Sequence, residues 1–315
     1  MDEPSKTIAV SHATNRGARG SSQVALVHAM RRLLPALVMA SLAIGPLAAG
    51  QRGPALPNRP ESLKFAVLGD NGTGKQPQLD VAAQMALAHG SFPFELVLMM
   101  GDNFYGAQGP DDLEKKFARP YRPLLDAGVT FRAALGNHDD IATVTYPPIH
   151  MDGRYYTYAH QNVRFIVLDT NVLDAPQLAW ARATLQQARE PWKIAYFHHP
   201  LYGNAGRHGS NVDLRVLLEP VLLEFGVQAV FSGHDHVYER LKPQRGIHYF
   251  VAGSGGQLRK GDLQPSETTA AGFDEDRAFM LVEISGDDLF FHTISRTGAT
   301  VDSGVIGRQT ARIGS

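Results

Sequence analysis

Five short apolar runs in this sequence each end in a turn that carries a side chain able to bind a metal ion. The runs and their terminal residues are FAVLG-Asp70, LVLMMG-Asp102, FRAALG-Asn137, IAYF-His198 and AVFSG-His234. Runs of this length and composition are typical of buried β-strands. In an open α/β sheet, ligands bind at the carboxyl ends of the strands. The pattern therefore predicts an α/β fold with polar ligands gathered along one edge of a sheet.

The segments between these runs have the features of helices, so strands and helices alternate along the chain. We expect helices at 78–89, 111–127, 176–189 and 211–225, the second of them broken by Pro120 and Pro123. We expect strands at 64–69, 95–100, 130–135, 192–197, 227–232 and 247–252, a hairpin formed by 154–160 and 163–169, and a β-rich tail at 278–306. Early βα units followed by a late β meander predict two packed mixed sheets flanked by helices.

The first 50 residues are typical of a secretory leader. Residues 33–49 are almost wholly apolar, follow an arginine pair and end in small residues. Two prolines and a length of about 17 residues favour a signal peptide over a permanent membrane span. We therefore expect export through a leader at 1–50, for which Met30 is an alternative start, then a linker at 51–62 and one folded domain at 63–310. The arginine pair is compatible with both the Sec and the twin-arginine routes.

Composition narrows the chemistry of the site. The chain has no cysteine and 13 histidines, which excludes disulfides and thiolate ligands and favours nitrogen and oxygen ligands for any metal. The formal net charge of -1 gives no reason to expect a polyanion such as nucleic acid as a partner.

The turn that contains Asp70 also allows an alternative to a metal site, because Gly69, Gly74 and Lys75 fit a phosphate-binding P-loop. Gln76, however, stands where that loop needs Ser or Thr.

Other residues of the same turns extend the predicted ligand set. Tyr105 ends a G-D-x-x-Y motif, and a phenol ionises at working pH only beside a strong cation such as Fe³⁺. His138 belongs to a G-N-H-D motif, and His236 ends a G-H-D-H motif. The two histidines of H-x-H point to opposite sides in an extended chain, whereas in a turn they can serve adjacent metals.

Taken in order, the motifs D-x-G, G-D-x-x-Y, G-N-H-D, H-x-P and G-H-x-H resemble those of the calcineurin-like metallophosphoesterases. The tyrosine makes the chain similar to the purple acid phosphatases, particularly the short, single-domain, tartrate-resistant type. The resemblance covers Lys64 to about Gly256 and implies a four-layer sandwich of two mixed β-sheets flanked by helices. It also implies a dimetal acid phosphatase that hydrolyses phosphate monoesters by attack of a metal-bound hydroxide, with 63–310 as the catalytic domain.

The resemblance also implies a role for each motif residue. One ion, Fe³⁺ in the family, is expected at Asp70, Asp102, Tyr105 and His236. The other, a divalent Fe, Zn or Mn, is expected at Asp102, Asn137, His198 and His234. Anionic oxygens suit a hard, highly charged ion, whereas imidazoles suit a borderline divalent one. His138 and His208 match the family's substrate-facing histidines, although His208 aligns only after a one-residue insertion. His199 and Asp139 receive no role, and we expect them to be structural or solvent-facing.

Two other functions stay open at this stage. A phosphodiesterase or nucleotide hydrolase could use the same dimetal centre, although cyclic-nucleotide diesterases of this superfamily generally lack the tyrosine. A non-catalytic exported protein could use the scaffold to bind metal or phosphate, although no ligand of the set is missing. The sequence predicts a small phosphorylated substrate without identifying it, because the loops 105–120, 202–212 and 257–276 carry no recognisable motif.

Overall fold

The structure is a computed structural model that describes residues 54–308, so the predicted leader lies outside the described residues. The strands are β1 (Leu63–Leu68), β2 (Leu96–Met99), β3 (Thr130–Ala133), β4 (Tyr156–His160), β5 (Val163–Val167), β6 (Trp192–Tyr196), β7 (Ala229–Ser232), β8 (Tyr238–Leu241), β9 (His248–Ala252), β10 (Thr269–Phe273), β11 (Ala278–Ser285), β12 (Asp288–Ser295) and β13 (Thr300–Gly307). The α-helices are α1 (Gln76–Ser91), α2 (Pro110–Leu113), α3 (Arg119–Asp126), α4 (Ala175–Gln187) and α5 (Val212–Glu224).

These strands form two mixed sheets. The first has six strands in the order β13-β12-β11-β1-β2-β3, and the second has seven in the order β10-β8-β9-β7-β6-β5-β4. Strands β1, β2 and β3 run parallel in the first sheet, as do β5, β6, β7 and β9 in the second. The late strands β11, β12 and β13 form an antiparallel meander on β1. The predicted pair of mixed sheets is confirmed.

The two sheets pack face to face through aromatic side chains. The ring of Phe65 on β1 meets Phe165 on β5 and Phe231 on β7 edge-on, at centroid distances of 5.8 and 6.3 Å. All three rings are fully buried, and such edge-to-face contacts add about 1 kcal/mol each to the stabilisation by burial. A second apolar cluster, which includes Leu185 of α4 and Leu218 of α5, covers the other face of the second sheet. The layers are therefore helix, sheet, sheet and helix.

The prediction that prolines break the helix at 111–127 is wrong. Residues 110–126 are continuously helical, because a π-helical turn (Glu114–Ala118) joins α2 to α3. Pro120 has no N–H to offer the carbonyl of Lys116 four residues earlier. That carbonyl accepts a hydrogen bond from Nε2 of Gln78 on α1 at 2.5 Å instead. The tertiary contact satisfies the group that the proline leaves without a helical partner.

Two strands were missed by the sequence analysis. Strand β8 pairs with β9, and β10 forms the edge of the second sheet beside β8. Strand β10 reads Thr-Ala-Ala-Gly-Phe and is half-exposed, so it has neither the apolar run nor the β-branched content that marks a strand. The predicted hairpin is confirmed, with β4 and β5 joined at Gln161, whose φ is 51°.

The start of the described chain is attached to the first sheet. The backbone N–H groups of Asn58 and Arg59 donate to the carboxylate of Glu283 at 2.6 and 2.8 Å. Part of the predicted linker at 51–62 therefore packs along β11, while the domain boundaries themselves stay a prediction. Among residues 54–308, no helix combines the length and the apolar character needed to cross a bilayer.

Candidate metal centre

The loops that follow the central strands meet at one edge of the two sheets. Asp70 follows β1, Asp102 follows β2, and His234 follows β7, and these residues have φ angles of 55, 51 and 70°. The left-handed conformation is costly for residues other than glycine and is found mostly where a site requires it. A Cβ at Gly136 would lie 2.1 Å from the backbone N of Asp102. Only glycine lets the loop after β3 approach the loop after β2 this closely.

One group of side chains combines two carboxylates, a phenol and an imidazole. The phenol oxygen of Tyr105 lies 3.0 Å from Oδ1 of Asp70 and 3.1 Å from Nε2 of His236. Nε2 of His236 is also 3.3 Å from Oδ1 of Asp70. A ligand atom of Asp102 lies within 4.8 Å of those of Asp70 and His236. These are the four residues that the sequence analysis assigned to the ferric ion, and the structure brings them together.

The second group centres on Nε2 of His198. Oδ1 of Asn137 lies 3.1 Å from this atom, Nδ1 of His234 lies 3.2 Å from it, and Oδ1 of Asp102 lies 3.4 Å from it. Asp102 thus belongs to both groups. His234 and His236 point to different groups, as the turn conformation of an H-x-H motif allows. The structure therefore also brings together the four residues assigned to the divalent ion.

The distances between these atoms fit metal coordination. Ligands that bind one ion at about 2.1 Å lie about 3.0 Å apart in an octahedron and about 3.4 Å apart in a tetrahedron. The contacts of 3.0 to 3.4 Å fall in this range. Within residues 54–308, no lysine or arginine forms an ion pair with Asp70 or Asp102. Two buried carboxylates without a cationic side chain form a set of donors that a metal ion would stabilise.

The protonation states of the histidines also suit metal binding. Nδ1 of His198 lies 2.8 Å from the carbonyl oxygen of Met100, and a carbonyl can only accept, so Nδ1 carries the proton and Nε2 presents a lone pair. Burial, aided by His199, keeps the pKa of His198 well below its usual value. Burial and neighbouring histidines lower the pKa of His234 to about 2. Burial and Arg259 lower that of His236 to about 4. All three imidazoles are therefore neutral at pH 7.

The acidic groups respond to burial in the opposite direction. Burial and the neighbouring Asp102 hold the pKa of Asp70 well above its usual value. Burial and the carboxylates of Asp70 and Asp102 raise the pKa of the Tyr105 phenol above its usual value as well. Both shifts reflect the cost of placing negative charges side by side away from water. A cation between them would reverse both shifts, because it stabilises the ionised forms.

Asp139, to which the sequence analysis gave no role, ties two of the loops together. Its carboxylate accepts hydrogen bonds from the backbone N–H groups of Gly136 and Phe104 at 2.8 and 2.9 Å, and from Nδ2 of Asn103 at 2.8 Å. Lys116, in the π-helical turn, also holds one of these loops in place, because its ammonium donates a hydrogen bond of 2.8 Å to the carbonyl of Tyr105. No local sequence signal marked Lys116, because the contact depends on how the turn folds over the loop.

Three further histidines surround the two groups. The ring of His138 lies 4.8 Å from that of Tyr105, and the ring of His208 lies 4.2 Å from that of His234. His199 also packs on His234, at 4.4 Å, and is half-buried. A cavity of about 440 Å³ opens between His199 and His208. The expected positions of His138 and His208 near a substrate fit this geometry, and their roles stay predictions.

The P-loop alternative does not fit the loop after β1. The N–H groups of Asp70, Gly72 and Thr73 donate to backbone carbonyls of this loop and its neighbour, and that of Gly74 donates to Oε1 of Gln78. A P-loop binds phosphate through convergent N–H groups that are free of internal partners. These four amides already have partners, and the Asp70 carboxylate belongs to the cluster of ligand atoms.

The family model of the calcineurin-like phosphoesterases matches residues 63–238, a range of more than half the chain. The chain belongs to the calcineurin-like phosphoesterase family. The matched range contains all seven predicted ligands of this phosphoesterase, and the family is one of metal-dependent hydrolases. The assignment of individual ligands stays a prediction that the geometry above supports.

This phosphoesterase is distantly similar to known acid phosphatases. Tartrate-resistant acid phosphatase type 5 of Mus musculus is 24% identical over 298 residues, which cover 75% of this chain and 91% of the relative. Purple acid phosphatase 17 of Arabidopsis thaliana is 25% identical over 244 residues, which cover 65% and 71%. The similarity extends over most of the chain and confirms the resemblance deduced from the motifs.

Solved structures show the same fold. The purple acid phosphatase PPD1 from seeds of yellow lupin (Lupinus luteus) superposes with a TM-score of 0.69 and 19% identity, over 81% of this chain and 55% of that one. GAP50, the anchor in the inner membrane complex of Plasmodium, superposes with a TM-score of 0.70 and 18% identity, over 80% and 90%. At these identities the likeness establishes the fold alone.

Proposed function

We propose that this phosphoesterase is a dimetal acid phosphatase that hydrolyses phosphate monoesters. The observation that carries the proposal is the contact of the Tyr105 phenol with Asp70 and His236, at 3.0 and 3.1 Å. A phenol among carboxylate oxygens suits a hard trivalent ion. The similarity to tartrate-resistant and purple acid phosphatases supports the same conclusion.

The proposed ligand sets are those implied by the motifs. Fe³⁺ would be held by Asp70, Asp102, Tyr105 and His236. A divalent Fe, Zn or Mn would be held by Asp102, Asn137, His198 and His234. Two bound cations supply charge neutralisation for the phosphoryl group and lower the pKa of bound water. The protein contributes neutral imidazoles, a carboxylate common to both sets and loops held in place by Asp139.

The side chains around the two groups would bind and orient the substrate. His138 packs on Tyr105 and His208 packs on His234, so one ring lies beside the proposed ferric set and the other beside the proposed divalent set. From these positions each imidazole can donate a hydrogen bond to a phosphoryl oxygen or to the leaving group. Negative charge spreads over the phosphoryl oxygens in the transition state, so donors fixed on both sides stabilise it.

The closest alternative is a phosphodiesterase or nucleotide hydrolase that uses the same centre. The experiment that separates them compares p-nitrophenyl phosphate with bis(p-nitrophenyl) phosphate across pH 4 to 8, with metal analysis of the same preparation. We expect higher kcat/KM on the monoester, an optimum in mild acid, two metal ions per chain and a visible absorption band from the ferric phenolate. Higher kcat/KM on the diester would favour the alternative.

A non-catalytic role is the second alternative. It rests on the general fact that a fold can persist while its function changes. A protein loaded with two metal ions that lacks visible absorption and turns over neither ester would favour it. Against this role stands the presence of all seven predicted ligands in two adjoining groups that share Asp102.

Export through the leader is also a proposal. Its basis is the order of residues 1–50, in which an arginine pair precedes the apolar stretch 33–49. Intact-mass analysis of the protein recovered from the culture medium or periplasm would test it. We expect a chain that begins close to Gly50. Recovery of the full-length chain in the cytoplasm alone would contradict export.

A further inference from the structure

His199 occupies a position that the predicted ligand sets leave without a function. It follows His198 at the end of β6, and one of its ring nitrogens lies within 4.8 Å of ring nitrogens of His198 and His234. Its ring packs against the ring of His234 at 4.4 Å. It also lines the cavity of about 440 Å³, together with His208 and Arg207. A half-buried imidazole that lines this cavity is placed to contact a substrate.

Thr170, just after β5, determines which nitrogen of His199 carries the proton. The hydroxyl oxygen of Thr170 accepts a hydrogen bond from the backbone N–H of His199 at 3.1 Å and lies 2.9 Å from its Nδ1. A hydroxyl has one hydrogen to donate. Among residues 54–308, Nδ1 of His199 is the one acceptor within reach of that hydrogen. Because Thr170 is 5% exposed, leaving the hydrogen without a partner would be unfavourable.

The hydroxyl therefore donates to Nδ1, and the ring proton of His199 resides on Nε2. His198 has the opposite arrangement, because the carbonyl of Met100 2.8 Å from its Nδ1 can only accept. Two consecutive histidines are thus fixed in opposite tautomers by a carbonyl and a hydroxyl. His198 presents a lone pair, as a metal ligand must. His199 presents an N–H group, which cannot bind a metal but can donate to an anion.

We propose that His199 is a substrate-binding residue whose Nε2–H donates a hydrogen bond to a non-bridging phosphoryl oxygen, with Thr170 as the residue that positions it. This rests on the proposed function, since it requires a phosphate ester at the His198 and His234 side of the centre. His199 joins His138 and His208 as a third donor around the phosphoryl group. The pair Thr170 and His199 is a feature that the ligand motifs alone do not reveal.

The test uses the full metal-loaded chain and inorganic phosphate as the probe. Calorimetry gives the Kd of phosphate, elemental analysis gives the metal content, and p-nitrophenyl phosphate gives KM and kcat. The variant His199→Phe keeps a ring without a donor, and we expect two metal ions per chain with phosphate binding weaker by about 10- to 100-fold. His199→Gln, whose amide can place an N–H near the position of Nε2, should recover most of that loss.

Thr170 provides the second pair of variants. Thr170→Val removes the hydroxyl at nearly constant volume and should weaken phosphate binding by about 3- to 10-fold without loss of metal. Thr170→Ser retains the hydroxyl and should match the wild type. A merely structural role of Thr170 would lower the melting temperature and leave the phosphate Kd unchanged. Should His199→Phe fail to fold, the comparison of Thr170→Val with Thr170→Ser decides the matter.

Three results would overturn the inference. Loss of one metal ion in His199→Phe would make His199 a ligand in the group with His198 and His234. An unchanged phosphate Kd in His199→Phe would remove it from the substrate site. Equal phosphate Kd values for Thr170→Val and the wild type would show that the hydroxyl does not set the tautomer. A wild-type chain that binds metals and phosphate but hydrolyses no monoester would refute the proposed function while leaving this comparison valid.

Discussion

The backbone N–H of His138 donates a hydrogen bond of 2.9 Å to Oδ1 of Asp102. His138, for which we propose a role in substrate binding, is thus joined through its backbone to the carboxylate common to both groups of candidate ligands. The link is made by the main chain, so it does not depend on the imidazole. Removing the ring should therefore leave the ligand geometry intact.

We expect His138→Ala to retain two metal ions per chain and to lose about 100-fold or more in kcat, in line with the loss of a positioned donor. Elemental analysis and steady-state kinetics on p-nitrophenyl phosphate would measure both. His160→Ala is the matched control, because His160 lies on β4 beside Glu95 at the surface. Loss of metal in His138→Ala would show that the ring itself supports the centre.

Asp102 is the side chain whose loss should affect both ions. Its Oδ1 lies 3.4 Å from Nε2 of His198, and it shares the other group with Asp70 and His236. We expect Asp102→Ala to bind fewer than one metal ion per chain and to have no measurable turnover, because each set loses an anionic ligand. Asp140→Ala, an exposed carboxylate nearby, is the control. Retention of two ions in Asp102→Ala would refute the shared-ligand assignment.

Tyr105→Phe tests the ferric site separately. The phenol contacts Asp70 and His236, and it belongs to the proposed ferric set alone. We expect the variant to lose the visible absorption band and most of its iron while retaining the divalent ion. Tyr155→Phe is the control, because Tyr155 packs on Trp180 at 4.9 Å and belongs to neither group. An unchanged spectrum in Tyr105→Phe would exclude the phenolate as the origin of the colour.

The position of the site was predictable because it follows from regular structure. Parallel strands of one sheet end at a common edge, so the ligands after β1, β2 and β3 share one edge and those after β6 and β7 share another. The sequence pattern predicted a single edge, and the packing of the two sheets is what brings the two sets of ligands together. The assignment of His234 and His236 to different ions depended on a turn in place of a strand, and the left-handed conformation of His234 supplies that turn. The apolar runs that predict the strands and the motifs that follow them are local features, so both could be recognised in the sequence.

What the sequence could not reveal depends on contacts between distant segments. The tautomer of His199 is set by Thr170, 29 residues earlier. Nothing in the sequence around either residue predicts that the two are in contact. The carbonyl of Lys116 accepts its hydrogen bond from Gln78, 38 residues away, and this contact compensates for the N–H that Pro120 lacks. Edge strand β10 forms because β8 offers it hydrogen bonds, although its own residues have little preference for a strand.

Asp235, between the two histidines of the G-H-D-H motif, should make the stability of the metal-free protein depend on pH. Its side chain is fully buried, and within residues 54–308 its Oδ2 has no hydrogen-bond partner. Burial raises its pKa to about 7, whereas in the unfolded chain the group titrates near pH 4. The folded state therefore binds the extra proton between these values, and stability falls as pH rises through this window.

Asp235→Asn removes this titration, whereas the other buried groups titrate in both proteins and cancel in the difference. We expect the variant to gain stability relative to the wild type as pH rises from about 4 to about 7, by at most about 1.4 kcal/mol per pH unit. Above the window the difference should level off. Chemical denaturation in the presence of a chelator at several pH values would measure it, with Asp213→Asn at the exposed start of α5 as the control. A difference between Asp235→Asn and wild type that does not change with pH would mean that Asp235 is already ionised in the fold, with a partner for its charge.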